Sequence, residues 1–402
     1  MAAKMKIGIY GGTFDPPHLG HMAAAKAAAK ELGLDKLIIV PAAIPPHKPL
    51  PQGAASAQAR FDMARLMVDN LYLPGVAETS DLELRRPGVS YTCDTLQAIR
   101  ERYPDARLWL LMGTDMFLSL HTWRAPEQIC ALAGICAFAR EHGDTAAAFA
   151  AQRQLLERQY GAHVVTVDIP DLVETSSTAL RAALAQGGGG EFLAPPVYGY
   201  ILMHGLYGTH EDLKGLDLEK LRACSYSMIL AKRIPHVRGA EEEAVRLARR
   251  WGADETLARR AAILHDCTKY LELEEQLALC AKYGVELDEL ERRAVKLLHS
   301  KTGACIARYV FGEPDEVYEA IFWHTTGKAD MRLLDKVLYM ADFIEPTRDF
   351  EGVELLRKLA YEDLDKAMLT GMEMIISDMH RDGRPIHRNT QAARDWLCEK
   401  GR

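Results

Sequence analysis

The chain has 402 residues, with 49 lysines and arginines against 56 aspartates and glutamates, a formal net charge of -7, and 48% hydrophobic residues. That length exceeds what a single core normally supports and predicts two domains, and the composition excludes a disordered or fibrous chain. The negative balance argues against sequence-independent binding to nucleic acid, so an anionic substrate has to meet local cations and backbone amides.

No apolar run approaches the roughly 20 residues of a membrane span, and the N-terminus lacks a long apolar leader, so a cytoplasmic enzyme is expected. Eight cysteines are scattered without a CxxC pair, which predicts reduced, mostly buried thiols. Cys267, beside His265 and Asp266, is the one to check for proximity to a metal. Oligomeric state is left open.

In chain order, Met5 to Tyr10 reads as a strand, and Met22 to Leu32, alanine-rich with spaced lysines, as the helix after it. LIIVP (37–41) is a second strand, Ala57 to Asn70 a helix, LWLLM (108–112) a third strand, and 135–139 and 164–167 two more. This alternation predicts an α/β fold with a doubly wound parallel sheet. Ligands sit at the carboxyl ends of such strands, where GGTFDPPHLGH (11–21) falls. Gly187 to Gly190 reads as a surface loop. From Leu216 onward helix follows helix, which predicts an all-α second domain of about 185 residues. The expected division is 1–208, a linker at 209–217, and 218–402.

A glycine-rich turn between a strand and a helix lets backbone N–H groups approach phosphate. His18 and His21 lie three apart, so on a helix starting near Pro17 they share a face. There they can donate to oxygens that gain charge during nucleotidyl transfer. The string closely resembles the GxFDPxHxGH signature of the nucleotidyltransferase superfamily, through Gly12, Phe14, Asp15, Pro16, His18, Gly20 and His21. SSTALR (176–181) resembles that superfamily's second signature. PPHK (45–48), RFDM (60–63), ELRRPGVSYTCDTL (83–96) and MGTDMFLSLHTW (112–123) resemble bacterial nicotinate-nucleotide adenylyltransferases.

That resemblance, from about residue 5 to 208, implies transfer of AMP from ATP to nicotinate mononucleotide, with Mg2+ bridging the leaving phosphates. It implies catalytic roles for His18 and His21, and ATP contacts by Gly11, Gly12, Thr13, Phe14, His21, Gly113, Asp115, Ser177, Thr178 and Arg181. It places the mononucleotide against Asp15, His47, Lys48, Arg85, Ser90, Tyr91, Thr92 and Trp123. The rival is another acceptor, such as phosphopantetheine.

The second half carries His236, His265-Asp266, His299, His324 and Asp342 at or near helix ends with apolar neighbours. Burying that many ionisable groups unpaired is costly, and a metal turns the cost into binding. The arrangement resembles the HD superfamily, which implies that His236, His265, Asp266 and Asp342 bind one metal. His299 and His324 then add a second, with Asp266 bridging. Imidazole and carboxylate donors suit two transition-metal ions, iron or manganese. HTTGKADMRLLDKVLYMADFIEPTRDFEGVELLR resembles bacterial HD-type symmetrical diadenosine tetraphosphate hydrolases, which implies cleavage of that dinucleotide to two ADP. Asp266 is then catalytic, and Lys269, Thr325, Thr326, Lys328 and Arg348 face phosphate. The alternatives are another nucleotide phosphoester or a nucleotide-binding regulator without turnover.

Overall fold

The computed structural model describes residues 4–46, 49–139, 144–169 and 176–400. The chain divides into two compact units, Met1–His210 and Glu211–Arg402.

The first unit is built on six parallel strands: β1 (Lys6–Gly12), β2 (Lys36–Pro41), β3 (Ala77–Thr79), β4 (Arg107–Gly113), β5 (Gly134–Ala139) and β6 (Val164–Asp168). Their order is β3-β2-β1-β4-β5-β6, so the order reverses beside β1. Both faces of such a sheet are covered, which is why β2 and β4 are apolar runs rather than alternating ones. Ile9, Leu108, Leu110 and Ile135 carry the core towards Leu96, Phe117 and Leu156 on the flanking helices. The edge strand β3 escapes sequence reading because Ala77-Glu78-Thr79 is short and only half-buried. Gly187 and Gly189, at positive φ, close the helix Ser177–Leu184, as a glycine loop should.

The second unit is helical. Helix Ile234–Trp251 packs on Glu255–Leu264 and Leu333–Ile344, and Asp315–Trp323 packs on Val295–Tyr309, Glu255–Leu264 and Leu333–Ile344. Residues 209–217 are divided between the units. Thr209 Oγ1 donates to Leu206 O at 2.8 Å, whereas Gly215 N donates to Phe311 O and Arg260 to Leu216 O. Among the described residues, no helix is long and apolar enough to cross a membrane.

Candidate functional site

β1 delivers Gly11 and Gly12 to the point where the strand order reverses, the usual ligand position in such sheets. The following helix starts at Leu19 rather than near Pro17, and His18 is its extended N-cap. His18 therefore precedes the helix instead of sharing its face with His21, because Pro16 and Pro17 keep the entry extended. The two rings are nevertheless adjacent, with centroids 3.8 Å apart, and the backbone N–H of His18 donates to His21 Nδ1 at 3.1 Å. That bond leaves Nε2 as the proton-bearing nitrogen of a neutral His21. Burial lowers the His18 pKa to about 4 and, helped by His18, holds His21 well below the usual range. His18 Nδ1 is buried without a hydrogen-bond partner among the described residues, so a ligand oxygen can fill that vacancy in its bonding.

The turn is held from behind. Arg60, fully buried, donates to the carbonyls of Thr13, Ala42, Ala43 and Ala55. Asp15, expected beside the mononucleotide, is instead only 2% exposed. Its Oδ1 accepts from Ala55 N at 3.0 Å and from the Tyr207 hydroxyl at 2.7 Å. Arg181 donates to Asp15 O at 2.7 Å and to Thr178 Oγ1 at 3.2 Å, so the two signature strings meet across 166 residues. Ser176 caps the helix Ser177–Leu184, accepting from Ala179 N.

Other expected contacts are distributed unevenly. Gly113 ends β4 and caps the short helix that carries exposed Asp115. Trp123 Nε1 donates to Ser119 Oγ, Arg124 lies 4.4 Å over the Tyr91 ring, and Thr92 starts the next helix. Ser90 is an internal tie, since its buried hydroxyl accepts from the amides of Ala43 and Ile44. Arg85 pairs at the surface with Asp81 at 2.7 Å. His47 and Lys48 lie outside the described residues. Glu83, not anticipated, is buried with its pKa raised by desolvation and accepts from Thr95 Oγ1 at 2.7 Å.

In the second unit, five different helices or their ends bring six groups together. His236 Nε2 lies 3.0 Å from Asp342 Oδ1, 3.2 Å from His265 Nε2 and 3.7 Å from Asp266 Oδ2. His265 Nε2 lies 3.4 Å from Asp266 Oδ2. The other carboxylate oxygen, Asp266 Oδ1, is 3.2 Å from His299 Nε2 and 4.0 Å from His324 Nε2, and those two nitrogens are 3.2 Å apart. Donors about 2.1 Å from a shared ion lie roughly 3.0–3.4 Å from one another, so these separations suit metal coordination.

The far side of each ring supports the same fit. His265, His299 and His324 direct Nδ1 at the carbonyls of Ala262, Lys296 and Ile321, at 2.7, 2.8 and 2.7 Å. His236 directs Nδ1 at Glu345 Oε1, 2.9 Å away. Each acceptor holds the proton on Nδ1 and turns the Nε2 lone pair towards the cluster, the arrangement that metal-ligating histidines use. Desolvation opposes charge on His265, but Asp266 and Asp342 raise its pKa to about 9.

A third group, Asp288, Glu291 and His387, has metal-like spacing and the opposite chemistry. Here Nδ1 accepts from Asn389 N at 3.2 Å, which puts the proton on Nε2, and Lys301 already neutralises Glu291 at 2.6 Å. It reads as a buried clasp.

A cavity of about 380 Å³ opens beside His299, His324 and Asp342. Arg233, Lys269, Lys296 and Arg348 give it four cations, and Tyr339, Phe343 and Ile375 an apolar side. Thr325 lines it, whereas the Thr326 hydroxyl turns to Gly327 O and Lys328 is paired with Glu319 at 2.8 Å. Arg233, missed from sequence, donates to Asp266 Oδ2 at 2.6 Å. Cys267 is a buried thiol whose pKa burial pushes far up, and it belongs to none of the candidate metal groups.

Residues 9–183 match the family model described as cytidylyltransferase-like, and residues 233–347 match the HD domain. A "Probable nicotinate-nucleotide adenylyltransferase" of Desulfatibacillum aliphaticivorans is 36% identical over 224 residues, 50% of this chain and 100% of that one. The chain belongs to the nicotinate-nucleotide adenylyltransferase family. A second such protein, from Exiguobacterium sibiricum, is 38% identical over 207 residues and is likewise covered in full. Both correspond to half of the chain, so this adenylyltransferase homologue joins the family's α/β unit to a helical HD domain. A solved Clostridium acetobutylicum structure, described as a "predicted HD superfamily hydrolase involved in NAD metabolism", is 38% identical. That match covers 46% of this chain and 98% of the other at a TM-score of 0.45.

Proposed function

We propose that the first unit transfers the adenylyl group of ATP to nicotinate mononucleotide in the cytoplasm, giving deamido-NAD and pyrophosphate. The observation that carries this reading is the adjacent, neutral His18–His21 pair just past the end of β1, with Arg181 bound to the carbonyl of Asp15, three residues before His18. The mononucleotide's phosphate oxygen attacks the α-phosphorus and the bond to the β-phosphate breaks. Neutral imidazole N–H groups, the turn's backbone amides and Arg181 then meet the charge that accumulates on the departing pyrophosphate. A magnesium ion would be carried there largely by the phosphates and water.

We infer that the HD domain hydrolyses diadenosine tetraphosphate to two ADP. Asp266 between two histidine pairs supports a two-ion site, with iron or manganese fitting the nitrogen-rich donor set. Divalent ions held there would lower the pKa of water and neutralise phosphate charge. Arg233, Lys269 and Arg348 would hold further phosphates, and Tyr339 and Phe343 offer aromatic surface to a nucleobase. Chromatography of the products tests the reading: ADP alone is expected from diadenosine tetraphosphate, and ATP plus AMP would overturn it.

Gly239 gives a sharper test of the ligand set. A Cβ there would lie 2.5 Å from Glu345 Oε2, the carboxylate that orients His236. Gly239→Ala should weaken metal affinity by about 10- to 100-fold, the usual effect of disturbing such a supporting group. Metal titration of the chelator-stripped protein measures it, and unchanged affinity counts against the role of Glu345.

A further inference from the structure

The hold on the nucleotide-binding turn includes a residue that neither signature contains. Tyr207 sits in the last turn of the first unit, 192 residues from Asp15, and its hydroxyl donates to Asp15 Oδ1 at 2.7 Å. It adopts φ +58, a left-handed conformation that side chains rarely take, between Gly205 and Gly208, which are also at positive φ. Such a backbone persists only where its surroundings over-determine it. The surroundings here are specific: the ring is buried, and the hydroxyl meets a carboxylate oxygen that also accepts from Ala55 N.

Asp15 is the residue through which this contact reaches the chemistry. Its carbonyl receives Arg181, whose guanidinium also stands 3.6 Å from Oδ2, an oxygen without a hydrogen bond of its own among the described residues. On its other side, Pro16 and Pro17 lead directly into His18. One buried carboxylate thus sets both the place of Arg181 and the start of the helix that presents the two imidazoles. Losing a hydrogen bond to a buried charge is expensive, and the turn would shift to recover it.

We propose that Tyr207 is a positioning residue for adenylyl transfer: through its hydroxyl it fixes Asp15, and through Asp15 it aligns Arg181, His18 and His21 on the triphosphate. This rests on the adenylyl-transfer reading of the site. It also makes the final turn of the first unit part of the ATP site, although it lies outside both signatures in sequence.

The test is Tyr207→Phe in the full chain, which removes one oxygen and keeps the ring. Calorimetric affinity for a non-hydrolysable ATP analogue should fall about tenfold. The Michaelis constant for nicotinate mononucleotide should stay unchanged, and the thermal midpoint should fall by no more than about 2–4 °C. Because hydroxyl and carboxylate act through one bond, adding Tyr207→Phe to Asp15→Ala, which removes the acceptor, should cost no more than Asp15→Ala alone. Unchanged affinity for the analogue would overturn the proposal, as would additive losses. A midpoint lowered further, with parallel loss of both ligands, would also overturn it, by reducing Tyr207 to packing. Pyrophosphate release by the unsubstituted chain decides the activity separately, so analogue binding without turnover would count against that reading and leave the role of Tyr207 measurable.

Discussion

Asp266→Ala should abolish hydrolysis by the HD domain, by about a thousandfold or more, and leave dinucleotide synthesis within about twofold. No other side chain in the cluster serves both halves of it: Oδ2 faces His236 and His265, and Oδ1 faces His299 and His324. Its burial is complete, and despite desolvation the surrounding His265, His299 and Lys269 hold its pKa well below the usual carboxylate range. Removing it therefore strips a shared anion from four imidazoles, leaves Lys269 without its carboxylate partner, and leaves Arg233 only Asp342, 3.9 Å away, among the described residues. Elemental analysis should show loss of bound metal in step with loss of ADP release. Asp266→Asn, which keeps the volume, guards against reading misfolding as chemistry: retained metal and turnover in that variant would sink the bridging role. Loss of pyrophosphate release as well would show that the two units do not work independently.

Much of this was readable before any coordinates. Apolar runs such as LIIVP and LWLLM announce buried parallel strands because period and composition are local properties. The six histidines and aspartates stood out because ionisable groups on apolar helix ends need a common explanation. What escaped is what depends on distant partners. Glu345 reads as an ordinary acidic residue until it is found 2.9 Å from His236, 109 positions away. Arg60 appears in a motif, but its role as a fully buried donor to four carbonyls requires the fold. Asp15 was assigned to ligand through resemblance, and the structure turns its carboxylate inward to Ala55 and Tyr207. Lys328 looked available to phosphate because Glu319, its partner, lies on the preceding helix turn of the fold rather than beside it in the motif.

The second large effect concerns His18 and His21. Each replacement by alanine should lower kcat for pyrophosphate release by about 10²- to 10³-fold, the usual loss when one preorganised donor to a developing negative charge is removed. ADP release by the HD domain should not change. The double variant should lose less than the product of the single losses, because the two rings, with centroids 3.8 Å apart, act on one departing group as a unit. Their protonation adds a test of direction. An unperturbed imidazole titrates near 6.5, but burial lowers His18 to about 4, so in the free protein it is neutral at pH 7 and stays neutral as pH falls towards 5. If the neutral donors are the working form, kcat/KM has no acid limb from this pair between pH 5 and 8, and a decline sets in only nearer pH 4. An acid limb near 6.5 that disappears in His18→Ala would show that the side chain is hydrated and ordinary in solution. That result would remove the basis for assigning the pair a preorganised role in stabilising the departing pyrophosphate.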